Sequence, residues 1–185
     1  MNSLARNDKR KLYIIPIVHN AADLGSFAPK VLSRRSGKST ELIDDLWEQI
    51  EEQLLSLDLD FSRMKLYQDS LPNCGFELTI VRELRNKGSA NFRLLCDLID
   101  RGATLMGTES PELLLRELNL AKQPELAEPE ELAKLAVARD RYIARRIDQT
   151  LLPGESGLLL IGMLHEVRTH LPGSIEVHYP FTITP

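Results

Sequence analysis

Short apolar runs alternating with helix-like stretches predict an α/β fold: a single domain with a mostly parallel central sheet of about four to six strands and helices on both faces. Three observations carry that prediction. Runs such as residues 157–165 (GLLLIGMLH) are almost uninterruptedly apolar, as strands covered on both faces are. The stretches between such runs repeat leucine and isoleucine at intervals of three and four, the spacing of an amphipathic helix. The chain has 185 residues, the size of one domain able to bury a core without disulfide or metal staples.

Residues 1–10 are polar and read as a lead-in to a domain spanning 11–185. The first strand is residues 11–19 (KLYIIPIVH), with Pro16 awkward because it donates nothing to a ladder. Residues 20–39 are rich in Gly, Ser, Pro and Asn and read as a long loop of the functional kind, basic enough to close over an anionic substrate. From Thr40 the helical period begins, with Leu46, Trp47, Ile50, Leu54 and Leu57 as core positions. Residues 63–69 form a second strand; helices follow over 76–87 and 90–101, with Ser89 as N-cap and Gly102 as terminator. Residues 103–109 (ATLMGTE) are a third strand, and Ser110-Pro111-Glu112 starts a helix with a cap, a proline at its first position and an early acid. The longest helix covers 130–152, with Leu132, Leu135, Ala136, Tyr142, Ile143, Ile147 and Leu151 as its buried stripe. Strands at 157–165 and 174–179 complete the sheet.

Composition excludes several classes. A net charge of −4 argues against a nucleic-acid partner. No apolar run approaches the roughly 20 residues that cross a bilayer, and the N-terminus lacks a signal peptide's apolar segment, so the expectation is a cytoplasmic protein without a membrane partner. Cys74 and Cys96 match no metal or redox spacing and read as core thiols. Gly37-Lys38-Ser39 is no phosphate loop, since the first glycine of that motif is absent. The arginines at 139, 141, 145 and 146 read as a solvated face paired with Asp140 and Asp148. His170 and His178 read as surface or structural residues. Amphipathic helices with apolar ends allow a homodimer.

The functional signal lies at the strand ends. The four best strands finish on His19, Asp69, Glu109 and His165, although only 31 of 185 residues (27 Asp+Glu plus 4 His) are of these types. Open parallel sheets bind ligands beyond the carboxyl ends of their strands. Two imidazoles and two carboxylates converging there can hold Zn²⁺, Mn²⁺ or Fe²⁺ with a position open to water, whose pKa falls toward neutrality. Taken singly, each has a structural alternative: a satisfied histidine, Asp69 as a turn cap, Glu109 as complement to a helix N-terminus.

The chain resembles the TraB/Tiki group, with its erythromycin-esterase-like and ChaN-like relatives, at three places. LYIIPIVH stands where the group has a Gly-x-x-His element, with Pro16 in place of glycine. GMLH, Gly162 to His165, matches that element in full and follows an apolar strand. Within VARDRYIARRI, Arg139, Asp140 and Arg141 are similar to an Arg-Asn or Arg-Asp signature. YQDSLPNCG and LMGTESPELL look like signatures of a narrower bacterial family. The resemblance implies a metal-dependent hydrolase or protease, with His19 and His165 on the metal, Asp69 or Glu109 as the acidic partner, and Arg139 facing an oxyanion or substrate. The expected reaction is hydrolysis of an ester, amide or related bond in a small molecule or peptide, without an organic cofactor. The alternative is a non-catalytic ligand-binding or regulatory module on the same scaffold.

Overall fold

The structure is a computed structural model that describes residues 9–17, 38–123, 125 and 127–180. Its elements in order are β1 (Arg10–Ile17), α1 (Lys38–Ser56), β2 (Met64–Gln68), α2 (Glu77–Asn86), α3 (Ala90–Asp100), β3 (Thr104–Met106), α4 (Pro111–Lys122), α5 (Pro129–Thr150), β4 (Ser156–Gly162) and β5 (Ile175–His178). Single 3₁₀ turns at Phe61–Arg63 and Val167–His170 join the set.

The five strands form one sheet in the order β3-β2-β4-β1-β5, and every pairing is parallel. Its centre, β4, is apolar on both faces because helices cover both. Leu158 and Leu160 point into a core with Trp47, Ile50 and Leu54 of α1, Val81 of α2 and Leu94, Leu95 and Leu98 of α3. Leu159 and Ile161 point the other way, onto Ile143, Ala144 and Ile147 of α5. The period of two in a strand thus divides one leucine run between two cores. Pro16 is tolerated because β5 pairs with β1 only as far as Tyr13, leaving the rest of β1 with one neighbour.

The expected caps are present. Ser89 accepts from the Phe92 N–H at 3.2 Å, Ser110 accepts from Leu113, and Gly102 takes the left-handed backbone, φ 105°, that closes α3. Other expectations need correction. Leu132 and Ala136 are exposed; the buried line of α5 runs through Leu135, Arg139, Ile143 and Ile147, each four residues after the last. Cys74 is exposed, whereas Cys96 is buried. Lys38 and Ser39 belong to the first turn of α1, not to the loop before it; residues 20–37 of that loop lie outside the described residues. No described helix is long and apolar enough to cross a membrane.

Candidate functional site

The chain leaves β2 toward the α1–α3 face and leaves β4 toward the α5 face, where Val167 is buried. These strands are neighbours whose chains depart to opposite faces, the arrangement at which open parallel sheets bind ligands. Asp69, Glu109 and His165 lie past this end of the sheet, but none is the last residue of its strand: β2, β3 and β4 end on Gln68, Met106 and Gly162. Asp69 is the next residue after β2. Glu109 lies three past β3, held by a bridge to Pro72. His165 closes the turn after β4, its N–H donating to Gly162 O at 3.1 Å. β1 ends on Ile17, and His19 lies outside the described residues.

The β3 ladder stops early because the chain from Gly107 to Glu109 rises over the β2 turn. Thr108 Oγ1 accepts the Gln68 N–H at 3.0 Å, and Leu71 O accepts the N–H groups of Thr108 and Glu109. Gly107 makes this approach feasible, since a Cβ there would stand 2.5 Å from the Asn73 Cα. Arg146 braces the same corner, donating to Gly107 O at 3.0 Å and to Asn73 Oδ1 at 3.3 Å.

Glu109 is completely buried and forms a two-pronged ion pair with Arg139: Nε to Oε2 at 2.7 Å and Nη2 to Oε1 at 2.6 Å. Arg139 Nη1 bonds Glu117 of α4. Burial alone would lower the Arg139 pKa, but the Glu109 hydrogen bonds and the charges of Glu109, Glu117 and Asp69 raise it, so the cation is fixed. Glu109 Oε1 also accepts the N–H of Ser70 at 2.8 Å. Ser70 has φ 59°, a left-handed conformation disfavoured for a residue with a side chain. Strain beside Asp69 is therefore held in place by the buried pair.

On the other side of Asp69 lies His165. Its Nδ1 is 2.5 Å from Asp140 Oδ1, and Asp140 Oδ2 accepts the Glu166 N–H at 2.8 Å. The ring is thereby oriented, and Nε2 faces Asp69 Oδ2 at 4.0 Å, beyond hydrogen-bonding distance. Asp69 accepts from Gln68 Nε2 at 2.9 Å through Oδ1 and from the Gly162 N–H at 2.8 Å through Oδ2. Gly162 matters sterically as well, for a Cβ there would lie 3.2 Å from Asp69 Oδ2 and 3.7 Å from His165 Cδ2. Burial lowers the His165 pKa, but the Asp140 hydrogen bond and the charges of Asp69 and Asp140 outweigh it and the nearby Arg139 cation, so the net direction is up. Burial and the charges of Glu109 and Asp69 raise Glu117, against the pull of Arg139.

No protein-family model, curated protein or solved structure matches the chain. The geometry therefore speaks by itself. Asp69 and His165 are brought face to face, and Glu109 and Arg139 are bound to each other. Among the described residues no group of three or more His, Cys, Asp or Glu stands ready to hold a metal ion. The roles of two contributors escaped the sequence reading. Asp140 was expected to neutralise neighbouring arginines but orients His165; the solvent-side partner of Asp148 is Arg10, at 2.8 Å. Glu117 carried no signal beyond its place on α4. His178 stacks on Tyr13 at 5.3 Å, a structural contact.

Proposed function

We propose that the chain is a metal-dependent hydrolase whose site lies at the carboxyl edge of β2 and β4 and cleaves an ester, amide or related bond in a small molecule or peptide. The observation that carries this reading is the line Asp140–His165–Asp69 beyond the ends of β2 and β4. A carboxylate on one ring nitrogen that leaves the other facing a second carboxylate is the outer-shell pattern of metal-bound histidine. His165 and Asp69 would hold the ion, with His19 as the further ligand that the TraB/Tiki resemblance implies. Zn²⁺, Mn²⁺ and Fe²⁺ all accept this imidazole–carboxylate chemistry. A bound ion supplies Lewis-acid activation of water or of the scissile carbonyl. The surplus of carboxylates (Asp69, Asp140, Glu109 and Glu117 against Arg139 and His165) favours a cation.

The remaining residues position this pair. Asp140 fixes the ring, and Gly162 lets the Asp69 carboxylate reach the backbone. Glu109 and Arg139 fix Ser70, and through it the path of Asp69. With Glu109 paired to the Arg139 cation and Arg139 bonded through all three nitrogens, positioning suits them better than proton transfer or oxyanion binding. Two unbonded thiols fit the reducing cytoplasm as the place of action.

A non-catalytic module is the second reading, favoured by the want of a third metal donor among the described residues. Metal analysis of protein purified without chelator or affinity metal separates the two. The hydrolase reading expects near-stoichiometric ion, lost in His165→Ala and Asp69→Ala, and metal-dependent cleavage of a panel of simple esters and amides. Protein that stays metal-free after incubation with all three ions supports the binding module instead.

A further inference from the structure

Beside the turn after β4 lies a cavity of about 200 Å³ with a mixed lining. Ile14, Pro16, Ile161 and Val167 give it apolar walls, and Arg168, Tyr179 and His165 border it with polar groups. No acidic side chain is among the described residues that line it. Nor does Arg168 have a carboxylate partner among the described residues: its guanidinium lies over the Tyr179 ring, 5.7 Å from the centroid. We propose that this cavity binds a small monocarboxylate, with its charge on Arg168 and its apolar body, up to a single ring, against the walls. The inference stands apart from the hydrolase reading, because the groups that hold this ligand are not the proposed donors to the ion.

Charge selects the class. A guanidinium without an acidic partner can donate two parallel hydrogen bonds to a carboxylate, and its seat on Tyr179 limits the freedom it loses in doing so. A cationic ligand would meet Arg168 and find no lining carboxylate to pair with. A phosphate monoester brings up to about two negative charges against one guanidinium. Behind His165, Asp69 and Asp140 oppose that excess. The same two carboxylates set the orientation, keeping the ligand's charge on the Arg168 side and away from His165. Volume and walls set the body. An apolar cavity of about 150 Å³ accepts benzene, so this one admits a six-membered ring. Contact with its aliphatic walls removes that ring from water.

Benzoate, benzamide and benzylamine test this, because they share the ring and differ in charge. Each would be titrated into chelator-treated protein, where no ion can take the carboxylate, while the methyl NMR signals of Ile14, Ile161 and Val167 are followed. Benzoate should shift these signals saturably, benzamide should bind at least about tenfold more weakly, and benzylamine more weakly still. Arg168 is exposed, so its replacement leaves the core intact. Arg168→Gln should bring benzoate down to the level of benzamide, whereas Arg168→Lys should keep a preference for the anion. Absence of saturable benzoate binding, equal affinity for benzoate and benzamide, or a preference for benzoate that survives Arg168→Gln would overturn the proposal. Zn²⁺ uptake, measured separately on untreated protein, reports on the hydrolase reading alone and leaves these expectations unchanged.

Discussion

The two corners beyond the strand ends are built from the same kinds of residue and finished differently. In the corner under β3, Glu109 and Arg139 saturate each other, with Glu117 and the Ser70 N–H taking what is left. In the corner under β4, Asp140 occupies one nitrogen of His165 and leaves the other 4.0 Å from a carboxylate oxygen. A matched buried ion pair has little left to offer a ligand, while an oriented imidazole facing a second carboxylate does. The difference teaches that charge at a strand end is no guide to function until its partners are counted. One corner is a clamp, the other the proposed site.

The largest effects should come from breaking the clamp. Arg139→Ala leaves Glu109 charged and buried, and chemical denaturation should show a loss of about 3–5 kcal/mol. The double replacement Glu109→Leu/Arg139→Met should recover part of that loss, because the buried Glu109 charge is gone while Glu117 and the Ser70 N–H lose their partners. Gly107→Ala comes next: its Cβ has no room beside Asn73, and a loss of about 1–3 kcal/mol is expected in the same assay. On the site side, Asp140→Asn should leave the fold in place by circular dichroism yet weaken metal affinity by about 10–100-fold in calorimetric titration.

The pH dependence sharpens the contrast further. The His165 pKa is raised in the folded chain above its ordinary value of 6.5. Its contribution to stability is therefore fully present below about pH 6.5 and is lost as pH rises through the folded pKa. Metal-free wild type should lose stability over that upper range, and His165→Asn should flatten the slope. Metal affinity should run the opposite way, rising with pH as the ring loses its proton. The smallest effects belong to Arg141 and Arg145, exposed on the far side of α5, where alanine should change stability by no more than about 0.5 kcal/mol.

Much of this was readable in the chain. The apolar run of β4, the Ser89 and Ser110 caps and the glycine stop at Gly102 are local signals with local causes, and they fix the α/β order. The burial of Arg139 was also readable, since it falls on the line Leu135–Ile143–Ile147 at spacing four, but its charge argued for a solvated face. The strand ends were less legible. β2, β3 and β4 stop one to three residues short of their chemically distinctive residues, because the turns at Ser70 and Gly162 and the climb at Gly107 are decided by contacts between distant segments. Asp140 was hidden for the same reason: its partner, His165, lies 25 residues away, and no periodicity in α5 points to it.

The most direct test of the contrast is a Zn²⁺ titration of three proteins: wild type, His165→Ala, and the clamp replacement Glu109→Leu/Arg139→Met. The account predicts that His165→Ala weakens binding by about 100-fold or more, while the clamp replacement, which acts only by loosening Ser70 and Asp69, costs less, about tenfold. Equal affinity in wild type and His165→Ala, or loss of binding in the folded clamp variant alone, would contradict it.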